Sequence, residues 1–308
     1  MDKKIERQKR LLKISIGLAI FFFLLSGLLI YLNFDYLAFK FLITQKYIYT
    51  DTLDTVYDKY LKTDPNGNYL RNFDDLVIAL STIGITYENK DNYTYLYIPE
   101  AYEAYKAYTM DKGLKTEVRI INDDIVYLSL TNFSKYSLDL IKKNMDVLTS
   151  RKNIIIDLRD NGGGRVDIMR KTASYFLPKT AVIAQVRYRN RIQITKSRTK
   201  QVLSYDNIYI LQSGSTASAS ENLIAALKDN LDNVTLIGEN TFGKGIGQLT
   251  IPLKDGYAVK ATTLLWQSPK GYDIHLKGIA PDIEYGDPDM LEYAIELLNS
   301  VLSTENVE

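Results

Sequence analysis

NIYILQSGSTASASENLIAALKDNLDNVTLIGENTFGKGIGQ, residues 207–248, decides how this chain is read. An apolar, β-rich run, Ile208-Tyr209-Ile210-Leu211, stops at a loop of small residues, Ser213-Gly214-Ser215-Thr216-Ala217. A helical pattern starts at about Ser218, with Leu223, Ile224 and Leu227 on one face. A second short strand, Val234 to Ile237, leads into Gly243-Lys244-Gly245. A hydroxyl therefore sits where a strand turns into a helix, and a lysine between glycines returns one element later. A serine in such a turn presents its Oγ beside the unsatisfied N–H groups of the helix start, which can hold an oxyanion. It becomes a nucleophile when a nearby base takes its proton. The chain has one histidine, His275. A lysine that burial keeps neutral is the other available base.

Blander readings of the same residues exist. Ser218 can simply cap its helix, and a lysine is most often solvated. Gly238-x4-Gly243-Lys244 approaches a phosphate-binding loop, but the next residue is Gly245 rather than Ser or Thr. Gln248 to Leu253 then reads as a strand, where such a loop must open a helix. A second glycine cluster, Asn161-Gly162-Gly163-Gly164, follows the continuous apolar run Asn153-Ile154-Ile155-Ile156-Asp157, a buried strand. It does not fit G-x-G-x-x-G. Glycines there let main-chain N–H groups approach a bound carbonyl oxygen, or form a plain strand-to-helix turn.

Thr216-Ala217-Ser218-Ala219-Ser220-Glu221, then Gly238-Glu239-x-Thr241-Phe242-Gly243-Lys244-Gly245-x-x-Gln248, resembles the S41 family of serine peptidases, the carboxyl-terminal processing or tail-specific proteases. Ile155 to Gly164 and Lys277-Gly278-Ile279-Ala280-Pro281-Asp282 match two further segments in the family's order. The resemblance implies an α/β fold with a ClpP/crotonase-like peptidase core. It makes Ser218 the nucleophile, Lys244 the general base and Gln248 the residue that orients the lysine. The amides of Ala219 and one glycine of the triplet become oxyanion donors, with Gly163 preferred to Gly164. Asp157 and Arg159 support that loop, and Asp229 falls where some members carry an auxiliary acid. Thr216 stands where serine is more usual, and the interval from Ser218 to Lys244 is slightly longer than the family's. Many members carry a PDZ domain next to the small helical region. Too few residues separate Tyr102 from Glu117 to hold one, so none is expected here.

Composition narrows the classes. The 308 residues carry a net charge of +1, which implies no polyanionic partner, and nucleic acid is not expected. Zero cysteines exclude a thiol nucleophile, a zinc–thiolate site and a disulfide framework. A single histidine excludes a His-rich metal site. No cofactor is expected.

Residues 1–13 are polar and basic, and Ile14 to Leu32 is an unbroken apolar run. As a helix it is about 28 Å long, close to the hydrocarbon thickness. The basic residues before it predict a single-pass cell-membrane helix with a cytoplasmic N-terminus and the remainder extracytoplasmic. The competing reading is a cleaved signal peptide, against which stand the length of the run and the lack of an A-x-A-like site. Residues 33–116 read as a helical N-terminal region, with helices at Leu53 to Leu61 and Phe73 to Ile83, a turn at Asp64 to Asn68 and a helix opened by Pro99. Residues 117–308 read as the peptidase domain. It starts with strands Val118 to Ile121 and Ile125 to Leu130, and helices follow at Leu138 to Leu148 and Val166 to Phe176. A hairpin at Ala181 to Ser197 comes next, and the last helix is started by Asp287 and Pro288.

The expected function is a membrane-anchored serine endopeptidase that hydrolyses peptide bonds in extracytoplasmic proteins through a Ser–Lys dyad. The expected partners are a protein or peptide substrate, the membrane, and a second copy as a homo-oligomer. The alternatives are a non-catalytic ligand- or peptide-binding module on the same fold, an acyl-CoA enzyme, and a Ser218–His275–Asp triad.

Overall fold

The structure, a computed structural model, describes residues 2–49, 91–286 and 289–305. The expected helices at 53–61 and 73–83, the turn at 64–68 and the Asp287-Pro288 start of the last helix lie outside the described residues. The chain divides into two compact units, residues 1–99 with 249–261, and residues 100–248 with 262–308.

The first unit begins with α1 (Asp2–Leu32), whose segment Ile5–Leu32 is long and apolar enough to cross a membrane and whose apolar stretch holds no buried residue. After Asn33 comes α2 (Phe34–Phe41), which widens into one π-helical turn over Leu42–Lys46, closed by Tyr47 N–H donating to the Leu42 carbonyl at 2.9 Å. Phe39, Leu42, Ile43 and Tyr47 pack with Leu253, Val259 and Ala261 into a small core. The short strand β1 (Tyr95–Tyr97) pairs antiparallel with Ala258 to Lys260.

In the second unit, β2 (Glu117–Ile120) and β3 (Ile125–Ser129) form the expected antiparallel pair. β3 then runs parallel to β4 (Asn153–Asp157), β4 to β7 (Asn207–Gln212), β7 to β8 (Val234–Gly238) and β8 to β11 (Ile283–Glu284). Side chains alternate between the faces of this sheet. Ile154, Ile156, Ile208 and Ile210 pack against α6 (Val166–Phe176) and α7 (Ala219–Asn230). Ile155, Tyr209, Leu211 and Ile237 pack against α8 (Met290–Glu305). Covered on both faces, the parallel strands are continuous apolar runs, which is why they stand out in the sequence. α3 (Pro99–Gly113) precedes β2.

The helix expected at Leu138 to Leu148 is two helices, α4 (Lys135–Lys143) and α5 (Met145–Leu148). The break is at Asn144, with φ −106° and ψ 22°, where the side-chain amide donates to the Leu140 carbonyl at 2.9 Å. Asparagine side chains compete with the backbone in this way and end helices. The expected hairpin is present as β5 (Val182–Tyr188) and β6 (Arg191–Lys196). β5 also pairs with Leu264 to Gln267 of β10 (Ala258–Gln267), which follows β9 (Ile246–Pro252) in the chain.

Candidate active site

Three successive loops leave the C-terminal ends of the adjacent parallel strands β4, β7 and β8, the edge where sheets of this kind carry their sites. They are residues 158–165, 213–218 and 239–245. Strand order therefore gathers into one place segments that the sequence scatters.

The loop after β7 delivers Ser218, the N-cap of α7, with φ 60° and ψ −114°. That conformation is rare for a residue with a Cβ and costs about 1–3 kcal/mol. A serine held in a sharp strand-to-helix turn is also how the nucleophile elbow of hydrolases exposes its Oγ. Several bonds hold the turn. Thr216 Oγ1 donates to the Leu158 carbonyl at 2.8 Å and accepts from Ser213 N–H at 2.9 Å. The threonine that replaces a usual serine thus keeps a working hydroxyl. Ala217 N–H and Ser220 Oγ both donate to the Asn161 carbonyl, at 3.0 and 2.9 Å. Ser218 is half-buried and Ala219 buried.

The glycine loop lies directly against this turn. At Gly163, φ is +108°, and a Cβ there would stand 2.9 Å from the Cβ of Ser218 and 3.2 Å from the nitrogen of Ala219. Only glycine allows this approach. The Gly163 N–H donates to Asn161 Oδ1 at 2.9 Å, and its carbonyl accepts from Phe133 N–H at 3.0 Å. Gly164, at φ +139°, runs so close to the Phe133 backbone that a Cβ would sit 2.6 Å from its oxygen. At the strand end, Asp157 is gripped by Arg159, Nη2 to Oδ2 at 2.6 Å, and by the Tyr127 hydroxyl at 2.8 Å. Burial, then the neighbouring carboxylate, pushes the Tyr127 phenol well above its ordinary value. The hydrogen bond to Asp157 raises Arg159. Buried Asp157 and half-buried Arg159 thus form a brace beneath the loop.

The loop after β8 brings Lys244. Glu221, in the first turn of α7 and fully buried, joins it to the Ser218 turn. Its Oε2 accepts from Ser218 N–H at 2.7 Å and from Lys244 N–H at 2.8 Å. Its Oε1 accepts from the Thr241 hydroxyl at 2.6 Å and from Gly243 N–H at 2.7 Å. Residues 218 and 244 converge on a single oxygen atom. Burial raises the Glu221 carboxyl above its ordinary range, against the lowering effect of these four bonds. This hub was missed in the sequence, although Ser218-x-x-Glu221 has capping-box spacing that announces part of it. Behind the lysine loop lies the main chain of His275, with Leu276 N–H donating to the Gly243 carbonyl at 2.8 Å. A Cβ on Gly245 would be 2.3 Å from the His275 nitrogen.

Gln248 follows in β9, with a buried Nε2 that finds no hydrogen-bond acceptor among the described residues. Asp229 lies at the far end of α7, where its Oδ2 accepts from Ser268 Oγ at 2.6 Å and Lys270 N–H at 2.8 Å. Among the described residues no cluster of His, Cys, Asp or Glu could hold a metal ion.

A family model of peptidase family S41 matches residues 124–285, which include all three loops. The chain is 34% identical over 171 residues to the carboxy-terminal processing protease CtpA of Bacillus subtilis, covering 54% of this chain and 36% of that one. It is 33% identical over 172 residues to a probable CtpA-like serine protease of Staphylococcus saprophyticus, covering 55% and 33%. The matched region is about a third of those relatives' own length. Among solved structures, the photosystem II D1 C-terminal processing protease superposes with TM-score 0.63 at 17% identity, over 83% of this chain and 93% of that one. A lipoprotein from Streptococcus agalactiae superposes with TM-score 0.64 at 19% identity, over 88% and 95%. At these identities the structural likeness speaks for the fold.

Proposed function

Because the chain belongs to peptidase family S41, we propose that it is a membrane-anchored serine endopeptidase cleaving extracytoplasmic proteins, with Ser218 as nucleophile and Lys244 as general base. The observation that carries this reading is the shared Glu221 oxygen, which brings residues 218 and 244 side by side from two loops. Neutral Lys244 takes the proton of Ser218, and the Oγ attacks the peptide carbonyl. The amides of Ala219 and Gly163 hold the oxyanion. An oxyanion reaching the Gly163 N–H displaces Asn161 Oδ1 from it. Lys244, now charged, protonates the leaving amine, and water hydrolyses the acyl-enzyme. Gln248 orients the lysine, and a half-turn of its amide would offer Oε1 as an acceptor in place of the unpartnered Nε2. The apolar helix α1 and the basic residues that open the chain support anchoring with the peptidase domain outside. The parallel sheet with its site at the strand ends supports a ClpP/crotonase-type core.

The test is labelling of the full chain with a fluorophosphonate probe and turnover of an unfolded protein substrate. Labelling is expected in the wild type and absent in Ser218→Ala, and turnover is expected to fall by at least a hundredfold in Lys244→Ala. Labelling that persists in Ser218→Ala overturns the nucleophile, and wild-type turnover by Lys244→Ala overturns the base. A folded wild type that neither labels nor cleaves would make the chain a binding module.

A further inference from the structure

A cavity of about 370 Å³ opens in the second unit, between the outer face of α6 and the segment that leaves β6. Helical spacing puts Arg170, Lys171, Ser174 and Tyr175 on one side of it. Lys196 and Arg198 come from the other side, after a hairpin and a long excursion of the chain. Four basic residues thus line the cavity from two elements, and among the described residues none of the four has an acid within ion-pair distance, although Lys171 is near enough to Asp167 to help hold its carboxyl below the ordinary value. The one acid at the rim, Asp167, is held chiefly by Arg165, its two oxygens accepting from Nε and Nη2 at 3.0 and 2.9 Å, and so offsets only part of the Lys171 charge. Cations elsewhere in this unit do meet acids, as in Arg159–Asp157 and Lys228–Asp282. Like charges gathered in a cleft repel, and an anion relieves the repulsion.

The walls are built rather than loose. Val202 and Leu203 N–H both donate to the Tyr175 carbonyl, at 2.9 and 2.8 Å, and so pin the segment after β6 to the end of α6. Ser197 is stitched to residues 180 and 181 by two backbone bonds. The Tyr175 hydroxyl bonds to nothing among the described residues and is free to donate.

We propose that this cavity binds a phosphate dianion, free or as the head of a small monoester. Two guanidinium forks suit the paired oxygens of a phosphate. A single carboxylate would leave most of the positive charge unanswered. The volume suits a phosphate with a small organic group rather than a polymer chain. The site is separate from Ser218 and Lys244 and does not depend on their chemistry.

Isothermal titration calorimetry on the detergent-solubilised full chain tests it, with inorganic phosphate and glycerol 1-phosphate as ligands and succinate and an acidic peptide as controls. Saturable binding of at least one phosphate ligand is expected, at least tenfold weaker in Arg170→Ala/Arg198→Ala and weaker at raised salt. Lys196→Gln, an exposed change that leaves the packing of α6 alone, should weaken it several-fold if the double variant does not fold. Equal affinity for the two ligands points to free phosphate, and a tenfold preference for glycerol 1-phosphate points to a monoester. No saturable binding by either, affinity unchanged in the folded variants, or tighter binding of succinate or the acidic peptide would overturn the proposal.

Discussion

Replacing Glu221 by Gln tests the hub directly. The carboxylate serves four donors: the N–H groups of Ser218, Gly243 and Lys244, and the Thr241 hydroxyl. A glutamine of the same shape has one acceptor oxygen and an amide that only donates. Its better orientation keeps the oxygen toward Ser218 and Lys244, since both donors there are backbone N–H groups. The amide then faces Thr241, whose hydroxyl can turn to accept, and Gly243, whose buried N–H is left without an acceptor. The loss is one charge-assisted bond plus one orphaned buried donor, together about 3 kcal/mol. For a unit of this size that is roughly 6–12 °C in the unfolding midpoint. Probe labelling of Ser218 should slow at the same time, because the loop that carries Lys244 loses an anchor at Gly243. Calorimetry and timed labelling of the same preparation check both. An unfolding midpoint within about 1 °C of wild type, with unchanged labelling, would refute the claim that this carboxylate ties the loops together.

Gly163→Ala should cut activity by at least a hundredfold with modest loss of fold. Its φ is +108° and the new methyl would meet Ser218 Cβ at 2.9 Å, so the test compares labelling rate with unfolding midpoint. Asp157→Asn strips the charge from a carboxylate that Arg159 and Tyr127 share. It should cost about 3 kcal/mol, seen as a fall in the midpoint, because the half-buried guanidinium loses its counter-charge. The pH dependence separates Glu221's two roles. Its folded pKa is raised, so it adds stability at low pH and withdraws it as pH climbs through the folded value. Activity has the opposite sign, since a protonated carboxyl gives up an acceptor. Labelling should therefore fall on the acid side at a pH above the ordinary carboxylate range, and Glu221→Gln should abolish that limb.

The parallel sheet was legible because burial on both faces writes itself as unbroken apolar runs, as at Asn153–Asp157 and Asn207–Gln212. α6 was legible to the residue, Val166–Phe176, because one face packs and the other is charged. Asn144 broke a pattern that apolar spacing alone carried through, since period says nothing about a side chain that bonds its own backbone. In the candidate site, Ser218, Lys244 and the glycines announced themselves by residue type at element boundaries. The Glu221 hub did not, because three of its four bonds reach Thr241, Gly243 and Lys244, which local spacing cannot show. The bond that the Gly163 N–H donates to Asn161 Oδ1 stayed hidden for a related reason: a triple glycine reads as freedom, whereas here it is fixed by Phe133, Asn161 and Ser218.

The cross-stitching of the three loops constrains how such a protein can be engineered. Surface connections usually accept extra residues. Here Thr216 reaches Leu158, Ala217 and Ser220 reach Asn161, and Phe242 N–H donates to the Thr216 carbonyl at 3.0 Å. An epitope tag spliced into any one of them would drag the other two out of step.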